Sequence, residues 1–327
     1  MTTLEELKTL PKLDAIIEKQ GPLFDLIIIG GGPAGLTAAL YAGRARLKTL
    51  IIERALLGGM ASTAFHIDNY PGFPRGVSGM DISRYFEEQA KKFGADFYYG
   101  EVLGIKRKEL YYEVKIDKKD ISTKTIIIAA GSESKKLNIK GENEFRGKGV
   151  SYCATCDGPF YKDKSIAVIG GGNSAVEEAL YLTRYASKIS IIHRRDKLRA
   201  DKILAEQALN DPKIFILWNS QIEEILGAAR VENIKIKNTI TKKSSRFPID
   251  GVFVYVGSNP NSKLFSNLVK LDKNGYILTN EEMKTAASGI FAAGDIRKKT
   301  LRQIVTAASD GAIAANSARI YIDSNLK

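Results

Sequence analysis

The run Phe24-Asp25-Leu26-Ile27-Ile28-Ile29 is apolar at nearly every position, the pattern of a strand buried on both faces of a parallel sheet. It leads straight into Gly30-Gly31-Gly32-Pro33-Ala34-Gly35, and the stretch Leu36 to Arg46 reads as a helix. The same grammar of strand, glycine turn and helix returns 140 positions later as Ser165 to Ile169, Gly170-Gly171-Gly172-Asn173-Ser174-Ala175, and a helix over Val176 to Tyr185. A second strand follows each turn: Leu47 to Ile52 ends at Glu53, Lys188 to Ile192 ends at His193, and one offset relates the two ends. Each half also carries a later strand closing on a small-residue turn, Thr125 to Gly131 in the first and Gly289 to Asp295 in the second. The alanine-rich stretch Leu301 to Tyr321 is predicted to be a helix that buries a face. Near the start, Leu4, Leu7, Leu10, Leu13, Ile16 and Ile17 suit an amphipathic helix interrupted near Pro11, with capping-box spacing at Thr2/Glu5 and Thr3/Glu6. This leader is expected to pack on the body.

Both glycine turns have the same physical use. Glycines allow a tight bend and close approach, and the helix N-terminus offers amides and positive potential to a pyrophosphate. Gly30, Gly32 and Gly35 form the first set; Gly170, Gly172 and Ala175 form the second, where alanine is tolerated at the third position. A lone G-x-G-x-x-G fits any tight strand-to-helix bend, and its repetition in register argues for two dinucleotide sites. At the first strand end Glu53 suits the hydroxyls of an unphosphorylated ribose. At the second, the acid is replaced by His193-Arg194-Arg195, with Arg199 beyond, and guanidinium forks there suit a 2′-phosphate. The bland reading of these arginines is a solvated basic face. One unit is therefore expected to take FAD or NAD and the other NADP. Asp295 stands where a strand meets a new helix, a position from which a carboxylate binds a hydroxyl chain or simply caps the helix.

Composition narrows the class. A chain of 327 residues, 44% hydrophobic and 26% charged, has room for about two globular domains and is neither disordered nor collagen-like. The net charge of +12 favours acidic or phosphorylated partners, yet no nucleic-acid-reading motif accompanies it, so none is expected to bind. The longest uncharged run, Leu26 to Gly43, is broken by the glycine turn and predicts no membrane span; Met1 to Gly21 carries charges throughout and lacks a secretion signal's apolar core, so a cytoplasmic protein is expected.

With only Cys153, Cys156, His66 and His193 available, no metal site is expected. Cys153-Ala154-Thr155-Cys156 reads first as a redox pair and second as a metal half-site, because two intervening residues place both sulfurs on one turn. Asp157, next to the pair, could return protons during exchange or could be a plain turn aspartate. Two nucleotide sites and one dithiol suggest a circuit from nicotinamide to flavin to disulfide.

These residues together resemble the low-molecular-weight thioredoxin reductases, FAD- and NADPH-dependent disulfide reductases. The resemblance extends from about Phe24 onward and is most specific over Ser151 to Phe160, Ile169 to Leu182 and His193 to Asp201. It implies an α/β fold of two doubly wound Rossmann-like nucleotide-binding domains, with the NADPH domain inserted into a discontinuous FAD domain: 1–134 and 263–327 for FAD, 135–262 for NADPH and the cysteine pair. It further implies that Cys156 faces the flavin, Cys153 attacks the thioredoxin disulfide, and Asp157 is the general acid.

On the same ground Gly30, Gly32, Gly35, Glu53, Gly59, Asn69, Gly131, Asp295, Arg302 and Gln303 would line FAD, with the backbone at Ile304 near the isoalloxazine. Met60 stands where the family usually has glutamine, leaving backbone contact there. Gly170, Gly172, Asn173, Ser174, Ala175, Glu177, His193, Arg194, Arg195 and Arg199 would form the NADPH side. A homodimer, a domain rotation with Gly257 and Asn259-Pro260-Asn261 near its hinge, and a thioredoxin or glutaredoxin-like partner are also implied. The alternative is a flavin-dependent NAD(P)H oxidase or ferredoxin–NADP reductase with idle cysteines, against which the presence of the pair argues.

Overall fold

The apolar strands find their partners in two sheets, one in each of two units. A computed structural model describes residues 13–64, 66–117 and 119–326. The first unit is Met1–Glu133 with Asn259–Lys327, and the second is Ser134–Ser258. The two chain crossings, Ser132–Ser134 and Ser258–Pro260, pair with each other.

In the first unit, six strands lie in the order Asp96–Tyr99, Thr49–Glu53, Leu23–Ile29, Lys119–Ile128, Tyr112–Ile116, Val102–Arg107. The first four are parallel, with Leu26 beside Thr49 and Thr125. The last strands form an antiparallel meander, and Ile290–Ala292 joins the C-terminal end of Lys119–Ile128 as a seventh, parallel strand. Alternation divides the buried strand residues between two cores. Leu26, Ile28, Ile51 and Ile127 face helices that include Pro33–Arg44 and Ile304–Asn325; Ile27, Ile29, Leu50, Ile52, Ile126 and Ile128 face the opposite core. The helix Leu13–Gln20 buries Leu13 and Ile16 in that second core, and its Lys19 and Gln20 side chains both donate to Asp96, at 2.7 and 2.5 Å. The remainder of the expected leader helix, Thr2 to Pro11, lies outside the described residues.

The second unit carries a parallel sheet in the order Ile214–Leu217, Lys188–Ile192, Ser165–Gly170, Gly251–Tyr255, Val150–Ser151. Ile166 and Val168 pack on the helix Asn173–Leu182 through Ala175, Val176 and Ala179, whereas Ala167 and Ile169 face an antiparallel sheet of Ser220–Gly227, Val231–Asn238 and Ser244–Pro248. Both predicted glycine-turn helices begin three residues earlier than expected, at Pro33 and Asn173, because Gly32 and Gly172 are the extended N-cap residues. The last helix starts three residues later, at Ile304, where Gln303 and Thr306 form a reciprocal cap. Asp295 therefore caps no long helix; it lies in the short turn Gly294–Ile296. Among the described residues, no helix is long and apolar enough to cross a membrane and no group of three metal-ligating side chains converges.

Candidate nucleotide and disulfide sites

The first turn shows why each glycine is needed. Gly30 has φ +107°, and a Cβ there would stand 2.4 Å from the Ala129 carbonyl oxygen; a Cβ at Gly35 would stand 1.9 Å from that of Gly30. Gly32 is different: a Cβ there would meet nothing within 4 Å except space, while Gly59 (φ +53°) lies close enough for its own Cβ to stand 3.4 Å from the Gly32 Cα. Gly30 and Gly35 thus serve the packing of strand and helix, and Gly32 serves an open concavity beside Gly59. Glu53, half-buried at its strand end, accepts the Gly31 amide at 2.6 Å and the Ala55 amide at 2.8 Å, which fixes both carboxylate oxygens beside the turn.

The late turn reaches the same place. A Cβ on Gly294 (φ +80°) would stand 2.9 Å from the Ala34 Cβ, and one on Gly311 of the last helix would stand 2.1 Å from the Ala34 carbonyl oxygen. The start of the first glycine-turn helix, the Asp295 turn and the last helix are thereby packed together. Asn69 and Gln303, far apart in sequence, join through Asn69 Nδ2 to Gln303 Oε1 at 3.1 Å. Arg302 lies over the Tyr276 ring, 4.1 Å from its centroid. Gly131 (φ +61°) also leaves space where a side chain would be. Ile304 is half-buried, and Met60, 58% exposed, directs no amide anywhere.

Two buried polar atoms on this surface, Asp295 Oδ1 and Arg302 Nε, have no hydrogen-bond partner. An unsatisfied carboxylate oxygen and guanidinium N–H beside an open glycine cradle fit a ligand that carries hydroxyls and phosphates, as FAD does. Burial pushes the Asp295 carboxyl up; Lys299 and Arg302 oppose this, and Asp310 adds to it.

In the second unit Gly170 (φ +152°) would place a Cβ 2.4 Å from the Tyr255 carbonyl oxygen. His193 occupies the position of Glu53 with other chemistry: its ring lies under Gly171, whose Cβ would be 2.3 Å from Nδ1, and its Nε2 is 3.0 Å from the Lys197 carbonyl oxygen. Burial lowers its pKa, with Arg199 and Arg195 contributing against the carbonyl contact, so the ring is neutral at pH 7. Arg194, Arg195 and Arg199 are all exposed, and the Arg199 amide donates to the Gly171 carbonyl at 2.6 Å, which keeps that side chain beside the turn. Asn173 exchanges two hydrogen bonds with Asp201, at 2.7 and 2.9 Å. Ser174 is exposed, Ala175 is buried, and burial followed by Asp201 raises the Glu177 carboxyl.

Cys153 and Cys156 form a disulfide with a Cα–Cα separation of 5.4 Å. Cys153 is the N-cap of the short helix Ala154–Asp157, and its sulfur accepts the Cys156 amide at 3.2 Å. Cys156 is exposed, while Cys153 and Asp157 are half-buried. The Tyr255 hydroxyl accepts the Ala154 amide at 2.9 Å; the residue is half-buried, and its burial raises the phenol pKa. Tyr255 was not singled out in the sequence. Its one signal there is a phenol ending an otherwise apolar strand.

Two glycine-turn nucleotide sites and one vicinal disulfide define a flavin- and nicotinamide-dependent class of oxidoreductase. The chain belongs to the pyridine nucleotide-disulphide oxidoreductase family, whose sequence profile matches residues 24–311. It is 50% identical over 302 residues to the thioredoxin reductase of Bacillus subtilis, covering 92% of this chain and 95% of that protein. Among solved structures it is similar to the thioredoxin reductase of Lactococcus lactis, with a TM-score of 0.90 and 43% identity over 92% of this chain and 99% of that one. The T. acidophilum thioredoxin reductase gives a TM-score of 0.88 at 34% identity, covering 93% and 99%.

Proposed function

We propose that the protein reduces the disulfide of thioredoxin with electrons from NADPH, using FAD and its own Cys153–Cys156 disulfide. The observation that carries this reading is the closed disulfide at the head of a short helix, with Cys156 exposed and no third cysteine in the chain to compete for it. FAD, bound in the first unit, supplies a two-electron relay between the hydride of NADPH and that disulfide. Gly30, Gly32, Gly35 and Gly59 would admit its pyrophosphate. Glu53 would take the ribose hydroxyls, and Asp295 the hydroxyl chain. Arg302, Gln303, Asn69, Gly131 and the backbone at Met60 and Ile304 would complete the site. In the second unit Gly170, Gly172, Asn173, Ser174, Ala175 and Glu177 would hold the dinucleotide. Arg194, Arg195 and Arg199 would hold the 2′-phosphate, over a neutral His193 that adds no repulsion for anions.

Reduction adds two electrons and two protons to the Cys153–Cys156 bond. The Cys153 thiolate then attacks one sulfur of thioredoxin, forming a mixed disulfide and expelling the other sulfur, to which Asp157 supplies a proton. The Cys156 thiolate then attacks the Cys153 sulfur of that mixed disulfide and expels the thioredoxin sulfur, re-forming the internal bond and releasing reduced thioredoxin. Glutaredoxin-like proteins present the same chemistry; the relatives' names favour thioredoxin. A cycling rather than structural disulfide suits the reducing cytoplasm. A homodimer is supported by a groove of about 370 Å³ on the first unit, lined by Leu36, Tyr41, Tyr70, Phe86 and Val305, from which Tyr41 emerges 47% exposed.

Anaerobic titration with dithionite tests the circuit: uptake of about two two-electron equivalents per FAD is expected, whereas about one, with the cysteines oxidised beforehand, replaces this reading with an oxidase or ferredoxin reductase. Cys156→Ser is expected to retain FAD and its reduction by NADPH and to lose thioredoxin reduction. Turnover of thioredoxin at the wild-type rate would overturn the mechanism.

A further inference from the structure

The Asp295 turn sits in a buried ionic network built from residues outside the nucleotide motifs. Lys299, whose side chain is 8% exposed, donates from Nζ to Asp310 Oδ2 at 3.0 Å and to Thr306 Oγ1 at 3.1 Å. Asp310, equally buried, lies one turn beyond Thr306 on the last helix, and it also accepts the Gly294 amide and Arg297, both at 3.0 Å. The same Lys299 ammonium stands 3.8 Å from Asp295 Oδ1, the buried oxygen that has no hydrogen-bond partner. That separation is roughly an ångström longer than a charge-assisted hydrogen bond. Two restraints therefore hold the cation near the carboxylate but short of bonding to it, and within hydrogen-bond reach the ammonium would occupy the acceptor a ligand hydroxyl needs.

We propose that Lys299, held back by Asp310 and Thr306, is a positioning residue that favours the anionic form of Asp295 while leaving its buried oxygen free for a hydroxyl of FAD. This rests on the reading that Asp295 holds FAD. The charged groups facing Asp295 are Lys299 and Arg302 from the connection before the last helix and Asp310 from that helix, with Arg297 bound to Asp310. The helix Pro33–Arg44 meets the turn through Ala34 and has no acidic residue in its first turn. Burial opposes ionisation of Asp295, so losing Lys299 moves its protonation to higher pH.

The test is FAD affinity of the apoprotein, read from flavin fluorescence over about pH 5 to 9, with no turnover involved. Lys299→Met is expected to weaken FAD about tenfold at neutral pH and to move the acid-side midpoint upward; Lys299→Arg is expected to restore the wild-type midpoint. Asp310→Asn weakens the hold on the ammonium, lets it close on Asp295, and weakens FAD without that upward move. Combining it with Lys299→Met then adds no further loss, which a merely structural role does not predict. If Asp295→Asn weakens FAD but Lys299→Met leaves the midpoint in place, the proposal fails alone. If Asp295→Asn leaves FAD affinity unchanged, the site reading fails and takes the proposal with it.

Discussion

The two glycine turns share a backbone plan and differ in the sign of charge at the strand end. In the first unit the carboxylate of Glu53 is anchored by two backbone amides and presents negative potential. In the second, the neutral ring of His193 sits under Gly171 amid three exposed arginines, so the potential is positive. The two units thus share strand, bend and helix N-terminus, and on the proposed reading the residue closing the second strand sets which dinucleotide each one takes. The third glycine position differs as well. Gly35 faces a carbonyl at a distance no Cβ can occupy, whereas its counterpart Ala175 carries a methyl group buried at 1% exposure.

The harshest way to break the comparison is to make the first turn like the second. Gly35→Ala drives a methyl into the Gly30 carbonyl and is expected to cost more than about 3 kcal/mol, seen in thermal unfolding together with loss of FAD. Next comes the charge at the second strand end. Arg194→Ala combined with Arg199→Ala is expected to lower the preference for NADPH over NADH by about 10² to 10⁴, at ~1.5–3 kcal/mol per charge-assisted bond. Equal losses for both nucleotides, in steady-state KM values, would refute the 2′-phosphate assignment. Glu53→Gln keeps the shape and removes the charge; FAD affinity is expected to fall about tenfold, measured on the apoprotein, with NADPH affinity unmoved. The mildest change makes the second turn like the first. Ala175→Gly is expected to cost about 0.5–1 kcal/mol of stability with little effect on nucleotide binding, and a larger loss would show that its methyl group packs more than the backbone suggests.

Much of this was legible because the turns are local. The offset between Gly30 and Gly170 placed both strands and both strand ends without reference to any long-range contact. The errors came where a boundary depends on geometry: Pro33 and Asn173 already belong to their helices because Gly32 and Gly172 supply the extended cap. Asp310 escaped notice for a different reason. In an alanine-rich helix an aspartate reads as a solvent-facing residue, and only the fold brings Arg297, Lys299 and the Gly294 amide to it. Its spacing of four from Thr306 puts both on one helix face, yet nothing local says that the face is buried. Asn69 and Gln303 were assigned to one site only through the resemblance, and their direct hydrogen bond, across 234 positions, was not legible in the sequence.

The seventh strand of the first sheet has a consequence for how the protein is made. Ile290–Ala292 and the helix that packs on Pro33–Arg44 emerge from the ribosome only after the whole of Ser134–Ser258. The inserted unit, whose two cores draw on its own residues alone, can therefore close during synthesis while the older sheet waits with one edge unfilled and apolar. A nascent chain held at that stage exposes Ile126 and Ile128 along the edge that Ile290–Ala292 later covers, a natural target for chaperones that bind hydrophobic strands.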